Sequence, residues 1–439
     1  MIKNVFKRAA KGAHVPHNKN TQNTMTVDMP VPEKILLPMQ QHIGGTAVPM
    51  VKKGDPVFVG TLVGRAEGYI SAPIHSGVSG TVTDVREIQI SSGARVPAVE
   101  ITSDGMQTPD PAIAPPAVTD YESFTTAIRA SGLVGLGGAG FPTSVKLTMK
   151  DLSVIDTLII NGAECEPYIT ADNREFIENP EDVMSGIVAV KKWLNIKSVI
   201  IAIERNKPEA MDVMFGLIKG DPSITVKPLP SVYPQGAEKI LIESCTGREV
   251  PRGGLPSDVG CIVMNVSSVA FVAAYLRTGM PLTSRRLTVD GGAVAEPKNV
   301  RVIVGTPIAD VLAFCGGTKG EVGEIITGGP MMGVSVVDTA FPILKQNNAV
   351  LAFPRAEAEL PPVAECIHCG RCIEACPVGL SPVIIAKAYN AHNLPELDKL
   401  MVDLCMECGC CSFVCPAKRP VTETMRSAKA MLKKGAKKK

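Results

Sequence analysis

CIHCGRCIEACP, residues 366–377, and CMECGCCSFVCP, residues 405–416, are two copies of one pattern, C-x2-C-x2-C-x3-C followed by proline. In such a run three closely spaced thiolates hold one [4Fe-4S] cube, and the fourth reaches across to the other cube. The expected ligand sets are therefore swapped. Cys366, Cys369 and Cys372 share a cluster with Cys415, and Cys405, Cys408 and Cys411 share the second with Cys376. Each proline ends its segment and turns the chain away. Zinc is the rival, but structural zinc usually takes two spaced pairs of Cys or Cys/His ligands. Two four-cysteine runs in register suit iron-sulfur better. His368 and Cys410 lie inside the runs but off the thiolate register, so both read as bystanders.

The chain has 439 residues, 45% of them hydrophobic, which allows several domains with cores of their own. A formal charge of +2 gives no general attraction to nucleic acid, and no nucleic-acid partner is expected. Charge is uneven, because nine Lys and Arg against the single acid Glu423 follow Pro416, ending in Lys433, Lys434, Lys437, Lys438 and Lys439. Such a tail reads as solvated, with attraction to an anionic membrane face as the weaker reading. Thirteen cysteines suggest thiolate ligands and free thiols, and outside the eight patterned ones stand Cys165, Cys245, Cys261, Cys315 and Cys410. Residues Met1 to Gly12 are basic and lack the apolar stretch of a secretory signal. The most apolar window, Cys261 to Leu276, is too short to span a bilayer. The chain is expected to be soluble and to reach a membrane through partners.

Residues 31 to about 105 are rich in Val, Ile and Gly with closely spaced turn signals, the pattern of a small all-β module. The stretch VKKGDPVFVGTLVGRAEGYISAPIHSGVSGTV from Val51 resembles the barrel-sandwich hybrid of lipoyl and biotinyl domains. Where those domains present a modifiable lysine, this turn carries Glu67-Gly68, so a docking or packing role is expected. After the Pro-rich linker TPDPAIAPPAV, Tyr121 to Ala130 reads as an amphipathic helix. Val154–Asn161, Val199–Ile203 and Thr225–Leu229 read as buried strands, with helices over Glu181–Leu194 and Pro208–Lys219. This alternation implies an α/β domain. β-rich sequence returns at 285–355, and the cluster module closes the chain. The expected architecture is multidomain α/β: an N-terminal barrel over 1–107, a linker over 108–119, an α/β domain over 120–284, a β domain over 285–356, and an α-helical two-cluster module over 357–439.

Gly135, Gly137 and Gly140 match the dinucleotide fingerprint G-x-G-x-x-G. A fingerprint loop follows a strand and opens a helix, whereas this one follows a helix and precedes the strand. Spacing alone leaves two readings, a helix-terminating loop or a backbone cradle for a phosphate or flat ring.

The segments SGLVGLGGAGFPTSVK, NGAECEP and YPQGAEKILIESCTGREVP resemble the flavin- and NADH-binding subunit of respiratory complex I. Together with HVPHNK, MPVPEK, QHIG, VKKGD and the paired cysteine runs, they are most similar to the RnfC family, the NADH-side subunits of ion-translocating ferredoxin:NAD oxidoreductases. That resemblance implies a β-grasp insert of the soluble-ligand-binding type at 285–356, non-covalent FMN, NAD(H) as substrate and two [4Fe-4S] clusters. It places Gly135, Gly137, Lys146, Asn161, Glu164, Gly236, Glu238 and Asn265 at FMN, with Lys146 at its phosphate. It places Phe141 on the NADH adenine and Glu164 and Glu166 at its nicotinamide half. The chain departs from the complex I pattern at Leu136, where that family has Arg, and at Ala163, where it has Asp.

The implied function is conversion between hydride transfer at FMN and single-electron transfer through two clusters. The implied setting is the cytoplasmic face of the cell membrane, beside integral membrane and iron-sulfur subunits, with ferredoxin an indirect partner and Na+ or H+ translocation in other subunits. No catalytic acid or base is required. A flavin/iron-sulfur cobalamin reductase is the alternative enzyme, and a flavin-free electron-conducting scaffold is the alternative of a different class.

Overall fold

The computed structural model describes residues 11–436 apart from 219; the basic opening residues 1–10 and the lysines at 437–439 lie outside it. Two small antiparallel sheets form the N-terminal module. One runs in the order Lys34–Pro38, Arg95–Ser103, Gly80–Gln89, Pro56–Val57, and the other joins Val48–Pro49, Leu62–Arg65 and Ile74–His75. Alternate residues of these strands, among them Ile35, Leu37, Val63, Ile74, Val99 and Ile101, point inward to one core. The Glu67-Gly68 turn joins Leu62–Arg65 to Ile74–His75, and Gly68 takes φ +77° with open space around it. With no amine at that tip, an intact-mass measurement is expected to show no lipoyl or biotinyl adduct. An acyl cofactor on any lysine of the module would contradict that reading.

Residues 13–28 bond to the later domains. Ala13 and Tyr233 exchange backbone hydrogen bonds of 2.8 and 3.0 Å, and Val27–Asp28 adds a parallel edge strand to Lys298–Ile303. The leading segment thus straps the later domains together.

The α/β domain holds an all-parallel sheet in the order Ile224–Leu229, Ser198–Glu204, Thr157–Gly162, Cys261–Asn265. Strands Ser198–Glu204, Thr157–Gly162 and Cys261–Asn265 are nearly continuous apolar runs because helices cover both faces, while the edge strand Ile224–Leu229 alternates buried and exposed positions. Helices Pro180–Trp193 and Val266–Thr278 approach so closely that a Cβ on Gly186 would lie 1.9 Å from the Val269 carbonyl oxygen. The apolar window from Cys261 is a strand and a helix, divided at Asn265, whose Oδ1 accepts hydrogen bonds from the Ser267 and Ser268 amides and caps the helix. Among the described residues no helix is long and apolar enough to cross a membrane.

The next domain is a mixed six-stranded sheet in the order Val27–Asp28, Lys298–Ile303, Ser284–Asp290, Ala349–Pro354, Val322–Thr327, Val334–Ser335. Helix Ile308–Phe314 buries Ile308, Val311 and Leu312 against it. The last module packs Pro382–Asn390, Leu394–Lys399 and Val421–Ala436 around Ile385, Leu397, Val402 and Met425. Its two cysteine runs share one backbone course. His368 and Gly370 take φ +55° and +78°, Glu407 and Gly409 take +60° and +85°, and each glycine opens a four-residue helix, Arg371–Glu374 or Cys410–Phe413.

Candidate functional site

A cavity of about 850 Å3 opens where the α/β domain meets the β-grasp sheet. Ligand sites commonly have this size. Its walls gather residues far apart in sequence: Gly137–Ala139 from the glycine loop, Asn161 and Glu164–Glu166 from the end of a central strand, Gly236, Asn265, and the 327–338 segment of the β-grasp sheet. The tip of the long barrel hairpin, including Gln89, Ile90 and Gly93, also reaches its rim.

Local folding explains each placement. The glycine loop closes on itself, since the Gly135 amide donates to the Phe141 carbonyl at 2.8 Å and the Gly140 amide to the Gly135 carbonyl at 3.2 Å. Gly138, at φ +110°, lines the cavity with almost nothing near its missing Cβ, and a Cβ on Gly137 would press on Asn265 Nδ2 at 3.1 Å. A side chain at either position would fill the cradle. Leu136 is buried in the core, with its carbonyl accepting from Arg285.

Asn161 ends its strand with Nδ2 donating to the Gly236 carbonyl at 2.8 Å and Oδ1 accepting from the Ala163 amide at 3.2 Å. Glu164, at φ +47°, turns its carboxylate onto the amides of Asp172 and Asn173 at the start of helix Ala171–Glu178. Asn265 also donates to Asp172 at 2.6 Å. Glu166 accepts from the Met331 amide at 3.0 Å, joining the strand-end loop to the β-grasp segment.

These carboxyl groups keep some solvent contact at the cavity wall while lying deep in the molecule. Burial raises Glu164 and Asp172 above the usual carboxylate range and pushes Glu166 up to about 7. Beneath the loop, Lys19 Nζ donates to the carbonyls of Glu164, Glu166 and Ile169 at 2.6–2.8 Å. Lys207 Nζ donates to the Ala163 carbonyl at 2.6 Å. Burial and the neighbouring Lys207 lower the Lys19 pKa.

Gly137, Asn161, Glu164, Glu166, Gly236 and Asn265 line this one cavity; Gly135, Phe141, Lys146 and Glu238 do not. Lys146, which the resemblance puts at the flavin phosphate, stands off the cavity lining: its Nζ donates to Glu238 Oε1 at 2.7 Å and to the Val263 carbonyl at 2.9 Å. Lys19, Asp172, Lys207 and Tyr233 are the functional-loop residues that sequence reasoning did not assign. Lys19 and Tyr233 lie within HVPHNK and YPQGAEK, so the motifs marked them without assigning roles.

Cysteines of the two runs approach one another. Cys376 of the first run lines one small cavity with Cys405, Cys408 and Cys411 of the second. Cys372 neighbours both Cys369 and Cys415. Thiol-only donor sets of this kind suit iron-sulfur clusters.

Comparison with known proteins matches these parts in order. Residues 7–106 match the RnfC barrel sandwich hybrid domain, 128–274 the Nuo51 FMN-binding domain, 286–335 the SLBB domain, and 363–380 a 4Fe-4S binding domain. The chain is 40% identical over 391 residues to the C subunit of the Na(+)-translocating ferredoxin:NAD(+) oxidoreductase complex of Acetobacterium woodii, covering 87% of each chain. The chain belongs to the RnfC family. A second RnfC relative, the C subunit of the proton-translocating ferredoxin:NAD(+) oxidoreductase complex of Clostridium ljungdahlii, is 39% identical, covering 85% of this chain and 83% of its own. The C subunit of the ion-translocating oxidoreductase complex of Rhodobacter capsulatus is 38% identical over 96% of this chain and 82% of its own. In fold, this RnfC chain is similar to an NAD+-reducing [NiFe]-hydrogenase structure, at TM-score 0.51 and 20% identity, covering 71% of this chain and 63% of that one.

Proposed function

We propose that this chain is the NAD(H)-side electron-transfer subunit of an ion-translocating ferredoxin:NAD(+) oxidoreductase complex, binding FMN in the cavity and two [4Fe-4S] clusters in the C-terminal module. The carrying observation is that Gly137, Asn161, Glu164, Gly236 and Asn265, separated widely in sequence, line one cavity of ligand size. When bound, FMN supplies the exchange between two-electron hydride transfer and one-electron steps.

The chain's own residues bind and orient. The unsubstituted backbone at Gly137 and Gly138 lets a flat ring or phosphate approach closely. Asn161 and Asn265 present amides whose positions are fixed by Gly236, Asp172 and the helix cap. Lys19 and Lys207 hold the Ala163–Ile169 loop from below, so Glu164 and Glu166 stay at the wall. The Phe141 carbonyl closes the glycine loop, and Lys146 with Glu238 forms an ion pair outside the cavity wall. We place the subunit at the cytoplasmic face of the membrane, against integral membrane and iron-sulfur subunits, with ferredoxin oxidised elsewhere in the complex.

Glu166 gives the cavity a pH dependence. Its pKa is raised to about 7, so it is neutral below that pH and negative above it. A negative wall repels the phosphates of NADH, and the dissociation constant is expected to rise several-fold between about pH 6 and about pH 8. Glu166→Gln should reduce that rise, with Glu164 on the same wall supplying the remainder, measured by equilibrium binding; an unchanged pH profile in the variant would remove Glu166 from the nucleotide site. The function as a whole is tested by anaerobic purification and an absorbance spectrum. Flavin and cluster bands together support it, and cluster bands without retained or restorable flavin would favour the conducting scaffold.

A further inference from the structure

The two thiolate sets stand in different surroundings. Cys408, Cys410 and Met406 line the small cavity shared by the second set. The same three residues belong to a compact apolar cluster with Tyr233, Cys165 and Met331. Tyr233 and Cys165 in turn line the large nucleotide cavity. Contact is close: the Cys410 thiol donates to the Tyr233 carbonyl at 3.5 Å, and a Cβ on Gly409 would lie 3.0 Å from the Met331 carbonyl oxygen. Met331 is itself bonded to Glu166 at the cavity wall. Among the described residues none of Cys366, Cys369, Cys372 and Cys415 lines the large cavity or belongs to that cluster. Cys369 is exposed, Cys366, Cys372 and Cys415 are partly exposed, and the adjacent Ile367 is 66% exposed.

We propose that the set Cys405, Cys408, Cys411 and Cys376 is the flavin-facing cluster site, that Tyr233 is the positioning residue packed between it and the flavin cavity, and that the set Cys366, Cys369, Cys372 and Cys415 is the outer port. This rests on FMN occupying the large cavity. The redox balance is simple: NADH becomes NAD+, the proton of the hydride passes to solvent, and its two electrons reduce the clusters by one electron each. The inner site lies between the flavin and the outer site.

The test uses the full chain reconstituted anaerobically with iron, sulfide and FMN, as wild type, Cys369→Ala and Cys405→Ala. Bleaching of bound FMN by NADH reports separately on the flavin reading in all three. Cys369→Ala should retain NADH-driven reduction of its one remaining cluster, and Cys405→Ala should lose it while dithionite still reduces that cluster. The reverse pattern, or equal reduction in both variants, would overturn the order. A second measurement covers the case in which Cys405→Ala fails to fold. In Tyr233→Leu, redox titration followed by electron paramagnetic resonance should show a shifted midpoint potential for the inner cluster and none for the outer one, with Tyr233→Phe close to wild type. A shift confined to the outer cluster, or no shift, would refute the assignment.

Discussion

Cys376→Ala is expected to remove the second cluster although the residue belongs to the first run. The variant should hold about four iron and four sulfide where the parent chain holds about eight of each. Its remaining resonance should be that of the set Cys366, Cys369, Cys372 and Cys415. The structure supports this on both sides, because Cys376 shares a cavity with Cys405, Cys408 and Cys411 while Cys372 neighbours Cys415. Iron and sulfide analysis with resonance spectra of the dithionite-reduced protein is the measurement. Loss of the other cluster would mean that each run binds its own cube.

The second large effect is expected from Lys19→Met. The ammonium group donates to the carbonyls of Glu164, Glu166 and Ile169, and methionine offers them no donor. Hydrogen bonds to charged groups contribute about 1.5 to 3 kcal/mol each, and leaving buried acceptors unpaired adds to the loss. A destabilisation of about 3 kcal/mol or more is expected. The loop carrying Glu164 and Glu166 should loosen with it, so FMN should wash out on gel filtration and the thermal unfolding transition should fall. Because the clusters sit in another module, their iron content should change little. Full flavin retention with an unchanged melting profile would show that the leading strap does not support the site.

Elements whose signal is local could be read from sequence. The cysteine runs depend on spacing within a dozen residues, and the strand Thr157–Gly162 is an apolar run buried on both faces. Helix Tyr121–Ala130 has the boundaries its amphipathic pattern indicates, with Asp120 and Ser123 forming a capping box. Long-range assembly could not be read in the same way. Nothing in HVPHNK states that Lys19 reaches under a loop about 145 residues later, because that contact depends on the packing of two domains. The apolar window from Cys261 carried its break in Asn265, a helix-capping residue type, but composition alone shows only a hydrophobic run. The partner of Lys146 was equally out of reach, because the Glu238 carboxylate it pairs with comes from a segment about ninety residues away.

The most direct measurement is quantification of iron, sulfide, zinc and flavin in the anaerobically reconstituted full chain, followed by addition of NADH in the same cuvette. The expected result is about eight iron, about eight sulfide and one FMN per chain, with flavin bleaching and cluster reduction on NADH addition. Stoichiometric zinc without sulfide, or a fully loaded chain whose flavin and clusters stay oxidised in the presence of NADH, would contradict it.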